Sequence, residues 1–194
     1  MAEYLTNTAD LTAVANAIRA KGGTSAQLVY PDGFVSAINA IETGGGSGSD
    51  ELVNSLIDRT ISGTYVNNTV TIIARYGLAG CEALTSVVFP AVYRMDGNAM
   101  ISCSALIKAD FSNLQKIRYS AFYSNKKLVT LIIRTQAVAN LENTSAFKDT
   151  PIAAGTGYVY VPSALVDSYK AATNWSTYAA QIRAIEDYPD ITGV

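Results

Sequence analysis

The sequence has 194 residues, enough for one ordinary domain or for a small domain with an appendage. Hydrophobic residues make up 49% of the chain and charged residues 15%, which is typical of a globular protein and excludes a disordered one. The formal net charge of −2 argues against a nucleic-acid partner, because nucleic-acid-binding proteins concentrate Lys and Arg on one face.

Residues that carry chemistry are few. The sequence contains no histidine, which removes the commonest general base and most zinc sites. The carboxylates are scattered singly, without the facing pair that glycoside hydrolysis needs, and the glycine runs lack the Lys-Ser/Thr of a phosphate loop. The sequence therefore predicts no catalytic residue, no metal site and no cofactor, and a protein that is not an enzyme.

No stretch of the sequence reaches the roughly 18 consecutive apolar residues of a membrane span. The beginning, MAEYLTNTAD, lacks the basic and apolar regions of a signal peptide. We expect synthesis in the cytoplasm without export by the general secretion route, and no insertion into a membrane.

Two short helices are predicted in residues 1–42. Asp10 can cap the first, which carries Leu11, Val14 and Ile18 on one face, and Pro31 suits the first turn of the second. This unit is too small to be securely stable alone, so we expect it to attach to another protein or to oligomerise. Residues 43–50, TGGGSGSD, have the composition of a flexible linker.

Residues 51–72 are predicted to form an N-terminal cap. Ser49 or Asp50 can cap a helix that runs through Arg59, and the segment ISGTYV after it is strand-like.

A repeat of 22 residues begins at Ile73 and recurs without gaps at Met95 and Ile117. A fourth, degenerate copy begins near Leu141, with Phe147 at the position of Phe122 and one inserted residue, and the array extends over residues 73–161. The matched columns are all apolar: Ile73/Met95/Ile117, Leu78/Met100/Phe122, Leu84/Leu106/Leu128, Val87/Ala109/Leu131 and Phe89/Phe111/Ile133.

Each copy has the pattern of one coil of a solenoid. Leu84-x-x-Val87-x-Phe89 predicts a short strand with alternate side chains inward, and stacked coils then form a parallel sheet. Residues 162–194 are predicted to form a C-terminal cap and tail. In this cap Pro162 or Ser163 starts a helix, and a second amphipathic stretch begins at Trp175. The predicted fold is an α/β solenoid with helical caps, preceded by the small helical unit.

The repeat resembles the BspA-like type of leucine-rich repeat, whose coils have the pattern Ile-Gly-x-x-Ala-Phe-x-x-Cys-x-x-Leu-x-x-Val-x-Ile-Pro. Ala121-Phe122, Cys81, Cys103, Leu84, Val87, Phe89 and Pro90 occupy matching positions. The chain departs from the pattern at Leu78 and Met100, where the family has Phe, and at Asn125, where it has Cys.

The outward face of the repeat strands commonly binds ligands in leucine-rich-repeat proteins. This resemblance makes the outward positions of the strands candidate binding residues, with a merely solvated or subunit-covered surface as the alternative. These residues are Ser86, Val88, Lys108, Asp110, Ser112, Thr130, Ile132 and Arg134.

The two cysteines, Cys81 and Cys103, share one column of the repeat. Without a histidine neither has a base to activate it, so we interpret them as two buried free thiols that pack as small hydrophobes, with a disulfide between them as the alternative.

The N-terminal stretch LTAVANAIRAKGGTSAQLVYPDGFVSAINAI resembles a segment at the start of virion proteins of phages that infect Gram-positive bacteria. This resemblance implies a non-enzymatic structural protein of the virion, in the tail, a fibre or a capsid decoration, that adheres to the host surface. Its implied partners are other virion proteins through residues 1–42, further copies of itself, with a trimer favoured, and a glycan or protein of the host surface. The alternative is a bacterial cell-surface adhesion module, which the missing signal peptide disfavours.

Overall fold

The chain divides into two units, Met1–Ser49 and Asp50–Val194. The structure is a computed structural model, and it describes residues 51–52, 59 and 61–193. The helices predicted in residues 1–42 and the linker predicted at residues 43–50 lie outside the described residues.

Eleven short strands are present in the described residues. In chain order they are Glu51–Leu52 (β1), Gly63–Val66 (β2), Ile72–Ile73 (β3), Leu84–Phe89 (β4), Arg94–Met95 (β5), Lys108–Phe111 (β6), Lys116–Ile117 (β7), Thr130–Ile133 (β8), Asn140–Leu141 (β9), Tyr158–Val161 (β10) and Ile182–Ala184 (β11).

The strands form two sheets, and every pair of neighbouring strands is parallel. The order in the five-stranded sheet is β1-β3-β5-β7-β9, and the order in the six-stranded sheet is β11-β10-β8-β6-β4-β2. Ser86 pairs with Lys108, which pairs with Thr130, so the register advances by one 22-residue repeat per strand. Each repeat therefore contributes one strand to each sheet, an arrangement compatible with the predicted short solenoid.

The core lies between the two sheets. Every residue in the five predicted apolar columns is completely buried. Aromatic rings link successive coils within this core: Phe89 stacks on Phe111 with ring centroids 5.8 Å apart, and Phe122 stacks on Phe147 at 5.7 Å. The Phe122–Phe147 contact places the fourth, degenerate copy where its sequence alignment predicted it.

Two positions in each coil turn the chain through left-handed backbone conformations. The first column has positive φ at Tyr76, Asn98 and Ser120, and the second has positive φ at Gly80, Ser102, Ser124 and Asp149. Left-handed backbone is costly for residues with a Cβ, yet glycine occupies the second column in one coil alone. In the three ungapped copies these turns form the half of the repeat that lies between the two strands, and the fourth copy has the 3-10 segment Thr144–Phe147 there.

The helical segments of the described residues are short. The α-helices are Pro151–Ala154 (α1), Val166–Ala171 (α2) and Pro189–Thr192 (α3), and the 3-10 segments are Thr144–Phe147, Ser163–Leu165 and Trp175–Gln181. Pro162 is followed by the 3-10 turn and α2, where the sequence predicted a helix. No helix in the described residues is long and apolar enough to cross a membrane.

The structure corrects one predicted helix and defines the conformation of the second amphipathic stretch. Residues 51–52 are strand β1, paired with β3, where the sequence predicted the first residues of a helix; residues 53–58 lie outside the described residues. The second amphipathic stretch is a 3-10 segment from Trp175 followed by strand β11, which pairs with β10. Spacings of three and four residues bury the same side chains, Trp175, Tyr178 and Ile182, in this mixed conformation as they would in a helix.

Candidate functional site

The outer face of the six-stranded sheet, on the side away from the core, carries the predicted binding residues. Strand pairing aligns them in rows across the sheet: Thr64, Ser86, Lys108, Thr130 and Tyr158 form one row, and Val66, Val88, Asp110, Ile132 and Tyr160 form the next. From β2 to β8 the strands keep this register because each coil adds 22 residues, and the longer last coil still aligns β10 with β8.

The two ends of the outer face differ in exposure. Ser86, Val88, Lys108 and Arg134 are half-buried and Ser112 is exposed, whereas Asp110, Thr130 and Ile132 are buried. Ile132 forms a second apolar cluster with Tyr160 and Ile185, and Tyr158 and Tyr188 pack against it. The face is therefore open over β2 and β4 and covered over β8 and β10.

Residues 186–193, which we name the C-terminal segment, provide part of the cover. Lys108 Nζ donates a hydrogen bond to the carbonyl oxygen of Ile191 at 2.7 Å, and Arg134 Nη2 donates one to the carbonyl oxygen of Thr192. Two residues predicted to bind a ligand thus bind the protein's own chain. Sequence analysis missed this contact because the partners are separated by 83 and 58 residues and follow no periodicity.

Three exposed aliphatic side chains lie on or next to strands of the six-stranded sheet, and none of them was among the predicted binding residues. Ile107 and Val129 occupy one repeat column just before strands β6 and β8, and their exposed fractions are 46% and 38%. Val66 on the edge strand β2 is 53% exposed. The sequence pattern could have revealed Ile107 and Val129. Leu-x-x-Val leaves two positions between its inward residues, and only the second of these positions was predicted to face outward.

Charges on the outer face are mostly compensated. Arg134 forms a two-point ion pair with Asp110, and the hydrogen bond to this carboxylate is the main cause that raises the pKa of Arg134. The guanidinium of Arg183 lies over the ring of Tyr158 at 4.7 Å from its centroid. Burial, reinforced by Tyr188 and Tyr158, raises the pKa of Tyr160, so its hydroxyl stays neutral at physiological pH.

Cys81 and Cys103 are both free and buried, as the interpretation as packed thiols expected, and they form no disulfide. The hydrogen bond with Cys81 raises the pKa of Cys103 far above its ordinary value, and burial adds to the effect. The same hydrogen bond lowers the pKa of Cys81. Cys103 Sγ also lies 3.0 Å from the carbonyl oxygen of Leu78.

Groups of metal-ligating side chains are absent from the described residues. The groove between the last repeat and the C-terminal region encloses about 380 Å³, and it is lined by Asn143, Thr144, Ser145, Lys148, Ala153, Thr177 and Tyr178. No carboxylate and no thiol lines this groove, so it does not bring an acid and a nucleophile together.

Comparison with known families assigns the repeat. The sequence matches the model of the BspA type leucine-rich repeat region (6 copies) over residues 58–158, about half of the chain. The chain belongs to this family. The BspA-type match covers strands β2 to β9 and reaches the first residue of β10, and it includes both the predicted repeats and part of the predicted N-terminal cap. No curated protein matches the chain. Leucine-rich-repeat domains often mediate protein–protein or surface interactions, and they are generally non-catalytic.

Proposed function

We propose that the protein is a non-enzymatic interaction module in which the BspA-type repeats form a short capped solenoid and bind a partner through the open part of the outer face. The observation that carries the proposal is the exposure of Val66 on edge strand β2, together with that of Ile107 and Val129 next to strands β6 and β8 of the same sheet. Solvent-exposed aliphatic residues that cluster beside polar ones are typical of binding surfaces.

The chemistry of the open part favours a protein or a glycan-bearing surface as the partner. Thr64 and Ser86 supply two hydroxyl groups beside the row of Val66 and Val88, so polar and apolar contacts alternate over neighbouring strands. A small, flat, mixed surface gives modest affinity per copy, which multiple copies on one particle would raise.

The chemistry of the side chains supports the non-enzymatic part of the proposal. The chain has no histidine, and its two thiols are buried in the core. Three carboxylates of the repeats form ion pairs: Asp96 with Arg94 and Arg118, Asp110 with Arg134, and Glu142 with Arg118.

For the biological setting we propose a bacteriophage virion, as a tail, fibre or capsid-decoration protein. Residues 1–42 would attach to other virion proteins, residues 43–50 would give reach, and the repeats would adhere to a host-surface glycan or protein, in a trimer. The resemblance of the N-terminal stretch to phage virion proteins supports this setting. A bacterial cell-surface adhesion module is the alternative, and its support is the interaction role common to leucine-rich-repeat domains.

The setting is tested by cryo-electron microscopy of phage particles from the source culture. Density at a symmetric vertex or at the tail tip that fits the repeat array supports the virion proposal. Particles without the protein, together with antibody labelling of the cell surface, would favour the adhesion alternative.

Binding through the open part of the outer face is tested by competition. Purified protein is added to host cells before labelled phage, and the number of adsorbed particles is counted. We expect the native chain to reduce adsorption and the double variant Val88→Glu/Ile107→Glu to lose this effect. The matched control is Lys126→Glu/Lys127→Glu, which changes two exposed residues next to a buried turn position of the array. Equal competition by both variants would place the binding surface elsewhere.

A further inference from the structure

The part of the outer face beneath the C-terminal segment is an apolar surface with its own cluster of side chains. Strand β8 is buried along its whole length, on the core side at Leu131 and Ile133 and on the outer side at Thr130 and Ile132. Ile132 and Tyr160 contribute the outer cluster, and both are almost completely covered. A parallel sheet tolerates such apolar outer residues when another element packs on that face.

The C-terminal segment is attached to this surface by few contacts. The ring of Tyr188 packs edge-on against Tyr160 with centroids 5.4 Å apart, and Thr192 is buried. The other residues of the segment are exposed: Glu186, Asp187, Pro189, Asp190, Ile191 and Gly193. A segment with so little buried area opens at a low free-energy cost compared with the core strands.

The polar contacts of the segment go mostly to its main chain. Lys108 binds the carbonyl of Ile191 and Arg134 binds the carbonyl of Thr192, at the end of helix α3. The last carbonyls of a helical turn lack partners within the turn and carry partial negative charge, so they are suitable acceptors for cations. Contacts of this kind recognise the shape of a backbone and one aromatic side chain, and they depend little on the rest of the sequence.

We propose that the covered part of the outer face, formed by Ile132, Tyr160, Lys108 and Arg134, is a binding site for a short peptide of a partner protein, and that the C-terminal segment occupies it in cis. The ligand class is set by the present occupant: an aromatic side chain followed by one helical turn whose final carbonyls meet the two cations. When the segment is displaced, the covered part and the open part of the outer face form one continuous surface. The inference rests on the proposed function, since it extends the same binding face.

The first test supplies the segment in trans. Residues 186–194 are deleted, and a fluorescein-labelled peptide with the sequence EDYPDITGV is titrated into the truncated chain while anisotropy is recorded. We expect saturable binding to the truncated chain and at least about tenfold weaker binding to the full chain, in which the tethered segment competes.

Variants of the truncated chain test the named contacts. Lys108→Met should weaken binding of the peptide about fivefold to tenfold, because it removes one charge-assisted hydrogen bond. Lys116→Met, on strand β7 of the other sheet, is the matched control and should leave binding unchanged. A truncated chain that unfolds cooperatively like the full chain but does not bind the peptide would overturn the inference, as would equal binding to both chains.

If truncation prevents folding, amide hydrogen exchange of the full chain tests the inference instead. We expect the amides of Ile191, Thr192 and Gly193 to exchange at least about a hundredfold faster than those of strand β10, and faster still in Lys108→Met. Equal protection of the segment and β10 would show that the segment does not open separately, which overturns the inference. The proposed function is tested at Val88 and Ile107, outside the covered site, so either result can fail without the other.

Discussion

Asp110 and Arg134 occupy neighbouring coils on the outer face and form a two-point ion pair. Arg134 Nε lies 3.0 Å from Asp110 Oδ1, and Arg134 Nη2 lies 2.7 Å from Asp110 Oδ2. The side chains are 25% and 12% exposed, so the pair is shielded from water more than the other ion pairs of the described residues. The carboxylate thereby orients the guanidinium that binds the C-terminal segment.

Removal of this carboxylate should destabilise the protein measurably. We expect Asp110→Ala to lower the free energy of unfolding by about 1–3 kcal/mol, because it leaves the charge of Arg134 without its main partner in a partly buried site. Glu142→Ala is the control: its pair with Arg118 is more exposed, and the expected loss is about 0–1 kcal/mol. Urea unfolding of the three chains measures both values, and equal losses would contradict the ranking.

The turn positions with positive φ offer sites of stabilisation. Ser102 and Ser124 have φ values of 61° and 62°, in the column where the first coil has Gly80. We expect Ser102→Gly and Ser124→Gly each to raise the free energy of unfolding by about 0.5–1 kcal/mol, because glycine adopts this conformation without a Cβ clash.

The control for these substitutions is Ser104→Gly. Ser104 is an exposed turn residue two positions after Ser102, and its φ is not positive. There glycine adds freedom to the unfolded chain without relieving strain, so we expect no gain or a small loss of stability. Thermal melting followed by circular dichroism distinguishes the two outcomes, and a gain at Ser104 equal to that at Ser102 would refute the explanation.

The sequence predicted the repeating part of the fold well because the spacing of the repeat shows which residues align in neighbouring coils. Columns 22 residues apart, such as Phe89 and Phe111, become neighbours through strand register alone. Non-repeating contacts carry no such signal. The cover of Ile132 by Tyr188 and the C-terminal segment depends on where the chain turns after β11, and composition does not determine that path. The sequence therefore predicted which residues lie on the outer face but not how much of that face is covered.

The spacing of apolar residues was ambiguous where a helix and an extended or 3-10 segment bury the same side chains. Trp175, Tyr178 and Ile182 fit one face of a helix, yet the chain gains more hydrogen bonds by adding Ile182–Ala184 to the sheet edge beside β10. The same applies to Glu51–Leu52, whose pairing with β3 outweighs a helical preference in the segment.

The aromatic contacts between coils predict the cost of a core deletion. Phe122 is completely buried between Phe111 and Phe147, with ring centroids 6.3 Å and 5.7 Å away. We expect Phe122→Ala to cost about 3–5 kcal/mol of unfolding free energy, through lost burial and a cavity that neighbouring coils cannot fill. Phe122→Met should cost about 1–2 kcal/mol, since Met100 occupies the same column one coil earlier.

The neighbouring residue provides the control for this deletion. Tyr123 is half-buried at the surface, so Tyr123→Ala should cost about 1 kcal/mol or less. Guanidinium unfolding with a shared slope measures the three variants. A loss at Phe122→Ala no larger than that at Tyr123→Ala would contradict the role of the aromatic contacts.

Asn125 replaces the family's cysteine in the buried column and has a different hydrogen-bonding requirement. Its Oδ1 accepts the backbone N–H of Cys103 at 2.7 Å, whereas its Nδ2 has no partner in the described structure. An Asn125→Cys substitution removes the unpartnered donor but also the strong acceptor, so the two effects oppose each other. Asn125→Asp retains the acceptor and tests the burial of charge.

We expect Asn125→Asp to destabilise the protein in a pH-dependent way. Burial raises the pKa of the new carboxyl above its unfolded value of about 3.9, so the native state holds its proton more tightly than the unfolded state. The stability relative to the parent chain should therefore be highest below about pH 4 and fall as the pH rises toward the raised folded pKa. Urea unfolding of both chains from pH 3 to 8 measures this difference. A constant difference over that range would show that water or a cation reaches the site, and that the Asn125 side chain is less isolated than its contacts indicate.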